Sequence, residues 1–245
     1  MDHHRRVGEA VAGELGRHPS VHAVLLGGSV ARGEHQPASD VDLLLVAGEQ
    51  VAPVRQVVDG LLVECISHSE AEWVARFDRP RTSWLYAFLE AETLTDSGAG
   101  ARLQAEADQV RRDYVASGEL KRLLATTLWH VQAKLDRIST DDYAGMGFWA
   151  AICIETIIDG LFTIHDVPLP AGARRLAYLD TVPLSASERQ LLDKYLTGST
   201  EERFTATLQL NEHLRSRLGP ADHEGETGSL DASSPDKPGR AIDDR

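Results

Sequence analysis

The chain has 245 residues, of which 42% are hydrophobic and 26% charged, and this composition is ordinary for a soluble globular protein of one large or two modest domains. The formal net charge of −13 disfavours a long nucleic acid as the partner, because binding of phosphates needs a basic surface, and it suits a cationic small molecule. The longest apolar runs, such as VDLLLV, are far too short to cross a bilayer, so we expect no membrane association.

The N-terminus and the cysteines indicate where the protein works. The first residues, MDHHRRVGEAVAGELG, carry charges but no apolar segment, so we expect no secretory signal. The two cysteines, Cys65 and Cys153, lie in apolar runs without a paired spacing, which is typical of buried free thiols. A reducing, cytoplasmic location is therefore expected.

The first part of the chain mixes strands and helices. Residues 7–17 read as a short helix, VHAVLLGGS as a buried strand that enters a glycine turn, VARGEH as a helix start and DVDLLLV as a second strand. The segment VRQVVDGLLVECIS predicts a hairpin, because two β-branched runs meet at Asp59-Gly60. Two helical segments and the short strand ETLTDSG follow. We therefore predict an α/β domain over residues 1–97.

The second part of the chain is helical. Apolar residues recur at helical spacing in five segments, among them ELKRLLATTLWHVQAKLDRI and GFWAAICIETIIDGLFTI. This pattern predicts a helical bundle over residues 98–218 and an α+β fold for the whole chain. Residues 219–245 contain few apolar side chains, which predicts a disordered acidic tail.

Two aspartates in the second strand carry the chemistry. Asp40 and Asp42 are two residues apart, so their side chains share one face of the strand, whereas Val41 and Leu43 point into the core. Two ionised carboxylates on one face repel each other unless a cation lies between them, and such oxygen ligands suit Mg²⁺. Glu64, between apolar residues on the neighbouring strand, would complete a site for two metal ions.

A glycine turn precedes these acids. Gly27, Gly28 and Ser29 stand where a strand ends and a helix begins, and glycine lets the backbone come close to a ligand. The N–H groups at a helix start, with the Ser29 hydroxyl, can hold a phosphate. Arg32 lies one turn further on and could reach a phosphate oxygen. A phosphate-binding turn about ten residues before a paired-aspartate site indicates chemistry on a nucleoside triphosphate.

This arrangement resembles the polymerase-β-like nucleotidyltransferase superfamily. The residues that carry the resemblance are Gly28, Ser29, Asp40, Asp42 and Glu64. It implies a mixed β-sheet with helices, two Mg²⁺ ions and ATP as co-substrate. Asp40, Asp42 and Glu64 would be the metal ligands, with Glu64 at the metal near the attacking oxygen, and Gly28, Ser29 and Arg32 would hold the β- and γ-phosphates.

The helical part is similar to that of kanamycin nucleotidyltransferases, which are aminoglycoside adenylyltransferases. In that family a helix supplies a Glu as general base and, one turn later, a Lys that contacts the phosphates. Here His130 stands at the position of the Glu and Lys134 at that of the Lys. Histidine can accept a proton near neutral pH, so His130 is the expected base, and Glu155, assisted by Asp159, is the alternative.

The resemblance implies a homodimeric enzyme that moves AMP from ATP to a hydroxyl of a small, amino-sugar-like acceptor and releases pyrophosphate. Whether the role is antibiotic resistance or natural-product biosynthesis stays open. One of Glu90, Glu92 and Asp96 could line the acceptor pocket, but spacing alone does not select it.

An alternative is a regulatory antitoxin that AMPylates a protein partner. Such minimal nucleotidyltransferases share the pattern GSxARG followed by SDxDLL, which is close to GSVARG and SDVDLL here. They are usually shorter, with the helical toxin on a separate chain. A further alternative is a nucleotide-binding remnant without catalysis, which the presence of all three acids disfavours.

Overall fold

A five-stranded sheet followed by a helical region forms the protein in the computed structural model, which describes residues 2–51, 53–77, 83–139, 141–172 and 174–219. The strands are β1 (Val21–Leu26), β2 (Val41–Ala47), β3 (Arg55–Val58), β4 (Leu61–His68) and β5 (Glu92–Asp96). The helices are α1 (His3–Leu15), α2 (Gly28–Ala31), α3 (Glu70–Phe77), α4 (Ser83–Glu90), α5 (Ala99–Asp113), α6 (Gly118–Leu135), α7 (Tyr143–Ile152), α8 (Ile154–Ile164), α9 (Arg174–Ala177), α10 (Ala186–Thr197) and α11 (Thr200–Leu218), with a 3₁₀ turn at Leu179–Thr181. The predicted α+β class is confirmed.

The sheet is mixed, with the strand order β3-β4-β2-β1-β5. β2 runs parallel to β4, whereas the pairs β1–β2, β1–β5 and β3–β4 are antiparallel. The predicted hairpin is β3–β4. Its turn residues Asp59 and Gly60 both have positive φ, at 49° and 81°, as a two-residue turn between right-twisted strands requires.

The two faces of the sheet pack against different helices. Val41 and Leu43 of β2 are fully buried in a cluster with residues of α1. Leu44 of the same strand is buried on the opposite face, in a cluster formed with α3, α4 and α5. β2 is therefore covered on both sides over most of its length, as expected for a central strand.

The helical region has a core of its own, formed mainly by α6, α7, α8, α10 and α11. The pattern GFWAAICIETIIDGLFTI predicts continuous helix, but the structure divides it at Cys153, where α7 and α8 meet at 44°. This bend allows both helices to contact α11. Within the described residues, none of the single helices has the length and apolar character needed to cross a membrane; the bent pair α7 and α8 has them only when taken together.

The two regions meet near the predicted boundary at residue 97. Ala99, Leu103 and Ala107 of α5 pack with the sheet, so the core of the first region continues past that residue. The division into residues 1–97 and 98–218 stays an interpretation. The predicted disordered tail, apart from Gly219, lies outside the described residues.

Candidate active site

The register of two parallel strands brings the predicted acids together. Asp42 of β2 is the direct partner of Glu64 of β4, so both side chains leave the sheet on the same face at the same level. Asp40, two residues before Asp42, contributes a third carboxylate. One oxygen from each of the three lies within 4.8 Å of the others. The structure thus assembles the group that the sequence predicts.

A cleft opens on the face of the sheet that carries Asp42 and Glu64, where helices no longer cover it. Leu44 and Ile66 continue the alternation after Asp42 and Glu64, and all four side chains line the cleft. It has a volume of about 310 Å³. The remaining lining comes from the glycine turn, from α4 and from the segment before and at the start of α9: Gly27, Gly28, Arg32, Trp84, Tyr86, Ala87, Glu90, Pro170, Ala171 and Arg174.

The glycine turn fits against Asp42. The N–H of Gly27 donates to the backbone oxygen of Asp42 at 2.8 Å. Gly28 has φ of +62°, and a Cβ at this position would lie 1.9 Å from Asp42 Oδ2. Only glycine suits this backbone and this distance. Ser29 lies in the single turn of α2, half-buried, and is not among the residues that line the cleft.

Negative charge accumulates at the three acids. Burial, followed by repulsion from Asp40 and Glu64, raises the pKa of Asp42 to about 6, although Arg32 acts in the opposite direction. Glu64 is half-buried and forms an ion pair with Arg55 of β3. A divalent cation among these oxygens would relieve the repulsion, and the donor set fits Mg²⁺.

A second group of potential metal ligands lies outside the cleft. Within the described residues, Asp2, His4 and His35 also place ligand atoms within 4.8 Å of one another. Asp2 caps the N-terminus of α1, where the helix dipole disfavours a cation. The carboxylate group in the cleft is therefore the candidate metal centre.

Of the three acids named as acceptor-site candidates, the structure places one in the cleft. Glu90, at the end of α4, lines it, and its carboxylate pairs with both Arg32 and Arg174. Glu92 instead pairs with Arg5. Asp96 accepts hydrogen bonds from backbone N–H groups at the start of α5, which lower its pKa although burial alone would raise it.

The residues assigned to base and phosphate roles in the helical region lie elsewhere in this chain. His130 and Lys134 are exposed on α6, and His130 Nδ1 lies 2.9 Å from the backbone oxygen of Thr126. Neither residue lines the cleft of its own chain. Their roles stay predictions, as does the homodimer.

The alternative base also lies outside the cleft. Glu155 on α8 has a side chain that is 76% exposed, 3.5 Å from Arg175, and Asp159 lies 2.9 Å from the same arginine. Arg175 is thus occupied by two acids of the bundle, and the assignment of Glu155 also stays a prediction.

A larger cavity, of about 470 Å³, lies beside the cleft and shares Tyr86 with it. Its charged lining consists of Asp108, Arg111, Arg112 and Asp166. The first three pair among themselves, and Asp166 pairs with Lys121. None of the three converging carboxylates lines it, so the smaller cleft is the candidate active site.

Comparison with known proteins agrees with this placement. Residues 9–94 match the family model of the nucleotidyltransferase domain, a range that contains the glycine turn and all three acids. No curated protein matches the chain. A solved nucleotidyltransferase-like protein from Exiguobacterium sibiricum aligns over 86% of this chain and 74% of its own, at 12% identity and a TM-score of 0.37. The family match and the three converging carboxylates together support a nucleotidyltransferase domain over residues 9–94, about a third of the chain.

Proposed function

We propose that the protein transfers AMP from ATP to a hydroxyl group of a small acceptor in a Mg²⁺-dependent reaction that releases pyrophosphate. The observation that carries this proposal is the convergence of Asp40, Asp42 and Glu64 next to the turn at Gly28, with Asp42 and Glu64 lining the cleft. A nucleotidyltransferase domain supports nucleotidyl transfer in general, whereas the choice of ATP and of the acceptor is our proposal.

The chain would contribute ligands and orientation. Asp40, Asp42 and Glu64 are the residues that would hold two Mg²⁺ ions, which, when bound, neutralise phosphate charge and activate the attacking hydroxyl. The backbone at Gly27 and Gly28 lies against Asp42, so a triphosphate on this turn would sit beside the acids. Arg32 lines the same cleft and can donate to phosphate oxygens.

The acceptor would lie against the aromatic part of the cleft lining. Trp84 and Tyr86 of α4 and Pro170 from the helical region provide flat, mostly apolar surface in the cleft. Tyr86 is held in place, because its hydroxyl donates to the backbone oxygen of Pro168 at 2.7 Å. Such a surface suits one face of a sugar or cyclitol ring, and we propose an aminated one because the chain is acidic.

We assign the general base to His130 and a phosphate contact to Lys134. His130 would accept the proton and Lys134 would contact the α-phosphate only if they reached a cleft other than the one in their own chain, which a homodimer could provide. His130→Ala tests this assignment. If that variant turns over as fast as the wild type at every pH between 6 and 8, His130 is not the general base.

The proposed function is tested by a screen for pyrophosphate release with ATP and Mg²⁺ across aminoglycosides, aminocyclitols and nucleosides. We expect release with one class of small acceptor and loss of that release in Asp42→Asn. Release that requires a protein acceptor would favour the regulatory alternative. Absence of both ATP binding and pyrophosphate release would contradict nucleotidyl transfer altogether.

A further inference from the structure

Two arginines, one from each region of the protein, are held side by side by one acid. Glu90 Oε2 accepts from Arg32 Nη1 at 2.8 Å, and Glu90 Oε1 accepts from Arg174 Nη2 at 2.5 Å. Arg32 directly follows α2, as its C-cap, in the sheet region, whereas Arg174 begins α9 in the helical region. The Glu90 side chain is only 11% exposed, so water screens this double pair weakly.

The second acid of this group, Glu34, is placed differently. Glu34 Oε2 accepts from Arg32 Nε at 2.8 Å and from Arg174 Nη1 at 3.0 Å, which closes a ring of two acids and two arginines. Its side chain is 56% exposed. Exposed ion pairs contribute little to stability, so Glu34 can leave this ring at small cost.

A tyrosine fixes Arg174 further. The Tyr178 hydroxyl donates to Glu90 Oε1, and the Arg174 guanidinium lies 5.4 Å from the centre of the Tyr178 ring. Burial, followed by the hydrogen bond with Glu90, raises the pKa of Tyr178 to about 12, so its hydroxyl remains a donor at neutral pH. Arg174 is therefore held from two sides, and its orientation does not depend on Glu34.

Three of the four residues of this ring line the candidate active site, and Glu34 does not. Arg32, Glu90 and Arg174 line the same cleft as Asp42 and Glu64. Lys134, the residue expected to supply positive charge from the helical region, does not line it. Among the residues that the structure describes as lining this cleft, Arg174 is the cation that comes from the helical region.

We propose that Arg174 and Arg32 together bind the β- and γ-phosphates of the nucleotide, that Glu90 positions both guanidinium groups, and that the triphosphate replaces Glu34. This inference rests on the proposed function and adds Arg174 to the binding site. A guanidinium presents parallel N–H groups that match phosphate oxygens as well as carboxylate oxygens. The two arginines therefore keep their hydrogen bonds when a phosphate replaces the Glu34 carboxylate. Because the arginines belong to different regions, the nucleotide would also join those regions.

The test compares the affinities of the full-length protein for ATP and AMP, measured by calorimetry with Mg²⁺. We expect Arg174→Ala to weaken ATP binding at least tenfold and to leave AMP binding unchanged, because AMP lacks the β- and γ-phosphates. Arg174→Lys should recover only part of the loss, since lysine lacks the planar fork. Arg189→Ala, a change at an exposed arginine of α10, is the matched control and should affect neither nucleotide.

Glu34→Gln should change ATP affinity in the direction opposite to Arg174→Ala. A purely structural role of Glu34 would not produce this result. Removal of the competing carboxylate should tighten ATP binding several-fold while AMP binding stays constant. Equal effects on ATP and AMP in Arg174→Ala, or weaker ATP binding in Glu34→Gln, would overturn this inference and leave the proposed function intact if the wild type binds Mg²⁺ and ATP. Should Arg174→Ala fail to fold, Arg174→Lys and Glu34→Gln decide the question.

Discussion

Gly28 lies so close to Asp42 that a Cβ at position 28 would be 1.9 Å from the carboxylate oxygen Oδ2. The turn and the acid are thus packed as one unit, and any side chain at position 28 must displace one of them. The backbone adds a second constraint, since φ of Gly28 is +62°. The glycine of the sequence motif is needed for the position of the acid as well as for access of a phosphate.

We expect Gly28→Ala to reduce turnover at least about a hundredfold, because a shift of about 1 Å in catalytic groups has effects of this size. Gly33→Ala is the matched control: Gly33 also has positive φ, at +69°, but nothing lies within 4 Å of an added Cβ. Both variants carry the strain of a left-handed residue, and only Gly28→Ala adds the clash. Steady-state kinetics of both variants measure the difference, and equal activities would show that the contact with Asp42 is unimportant.

Asp42→Asn should greatly reduce turnover and stabilise the metal-free protein. The pKa of Asp42 is raised from 3.8 to about 6, so the folded state holds this proton more tightly than the unfolded state does. The stabilisation of the folded state by the protonated Asp42 carboxyl is therefore complete below about pH 3.8 and is lost as the pH rises through about 6. We expect metal-free Asp42→Asn to be more stable than the wild type at pH 8, by about 1 to 3 kcal/mol after screening by solvent.

Urea unfolding in EDTA at pH 4 and pH 8 measures this effect. The stability difference between Asp42→Asn and the wild type should be small at pH 4 and large at pH 8, and saturating Mg²⁺ should raise the stability of the wild type more than that of the variant. The variant should lose turnover by about a thousandfold. A stability difference that does not change with pH would contradict the placement of Asp42 among repelling acids.

The parts of the site that are close in sequence could be predicted because their geometry is local. Alternation along β2 places Asp40 and Asp42 on one face, and the turn at Asp59-Gly60 returns the chain so that β4 lies beside β2. Glu64 could be chosen because a charged residue in an apolar strand needs a partner. These inferences required no knowledge of how the helical region is placed.

The ring around Glu90 could not be predicted, because it depends on that placement. Arg174 is 84 residues from Glu90, and nothing in the segment AGARRLA distinguishes Arg174 from Arg175. The structure separates these neighbours, since Arg174 faces the cleft and Arg175 pairs with Asp159 inside the bundle. The division of α7 and α8 at Cys153 was also missed, since both helices have the same apolar periodicity.

Arg55→Ala should strengthen Mg²⁺ binding. The Arg55 side chain is 70% exposed and pairs with Glu64, so it offers a competing positive charge to one of the three metal-site acids. Because exposed pairs are weak, we expect an increase in affinity of about two- to fivefold, smaller at high salt. Calorimetric titration with Mg²⁺ at low and high ionic strength measures it. Arg102→Ala, which breaks an exposed pair with Glu70 away from the cleft, should have no effect, and weaker binding in Arg55→Ala would show that Arg55 instead supports Glu64.

Glu188→Gln should destabilise the helical region in a manner that depends on pH. Glu188 lies in the first turn of α10, is 3% exposed at its side chain, and lies 3.0 and 2.9 Å from the Nε2 atoms of His165 and His213. Burial alone would raise its pKa, but hydrogen bonds from Ser185 and from the two histidines lower it to about 2. The contribution of the carboxylate is therefore complete above pH 4.5 and is lost as the pH falls through about 2.

We expect Glu188→Gln to cost about 3 kcal/mol of unfolding free energy at pH 7 and progressively less below pH 4.5. Glu202→Gln is the matched control, because Glu202 completes the same kind of capping box with Ser199 at the start of α11 but is exposed. It should cost less and show a weaker dependence on pH, since Glu188 adds two histidine contacts to the helix cap. Urea unfolding of both variants between pH 3 and pH 7 measures this comparison. Equal losses in the two variants would mean that the histidines contribute nothing beyond the cap.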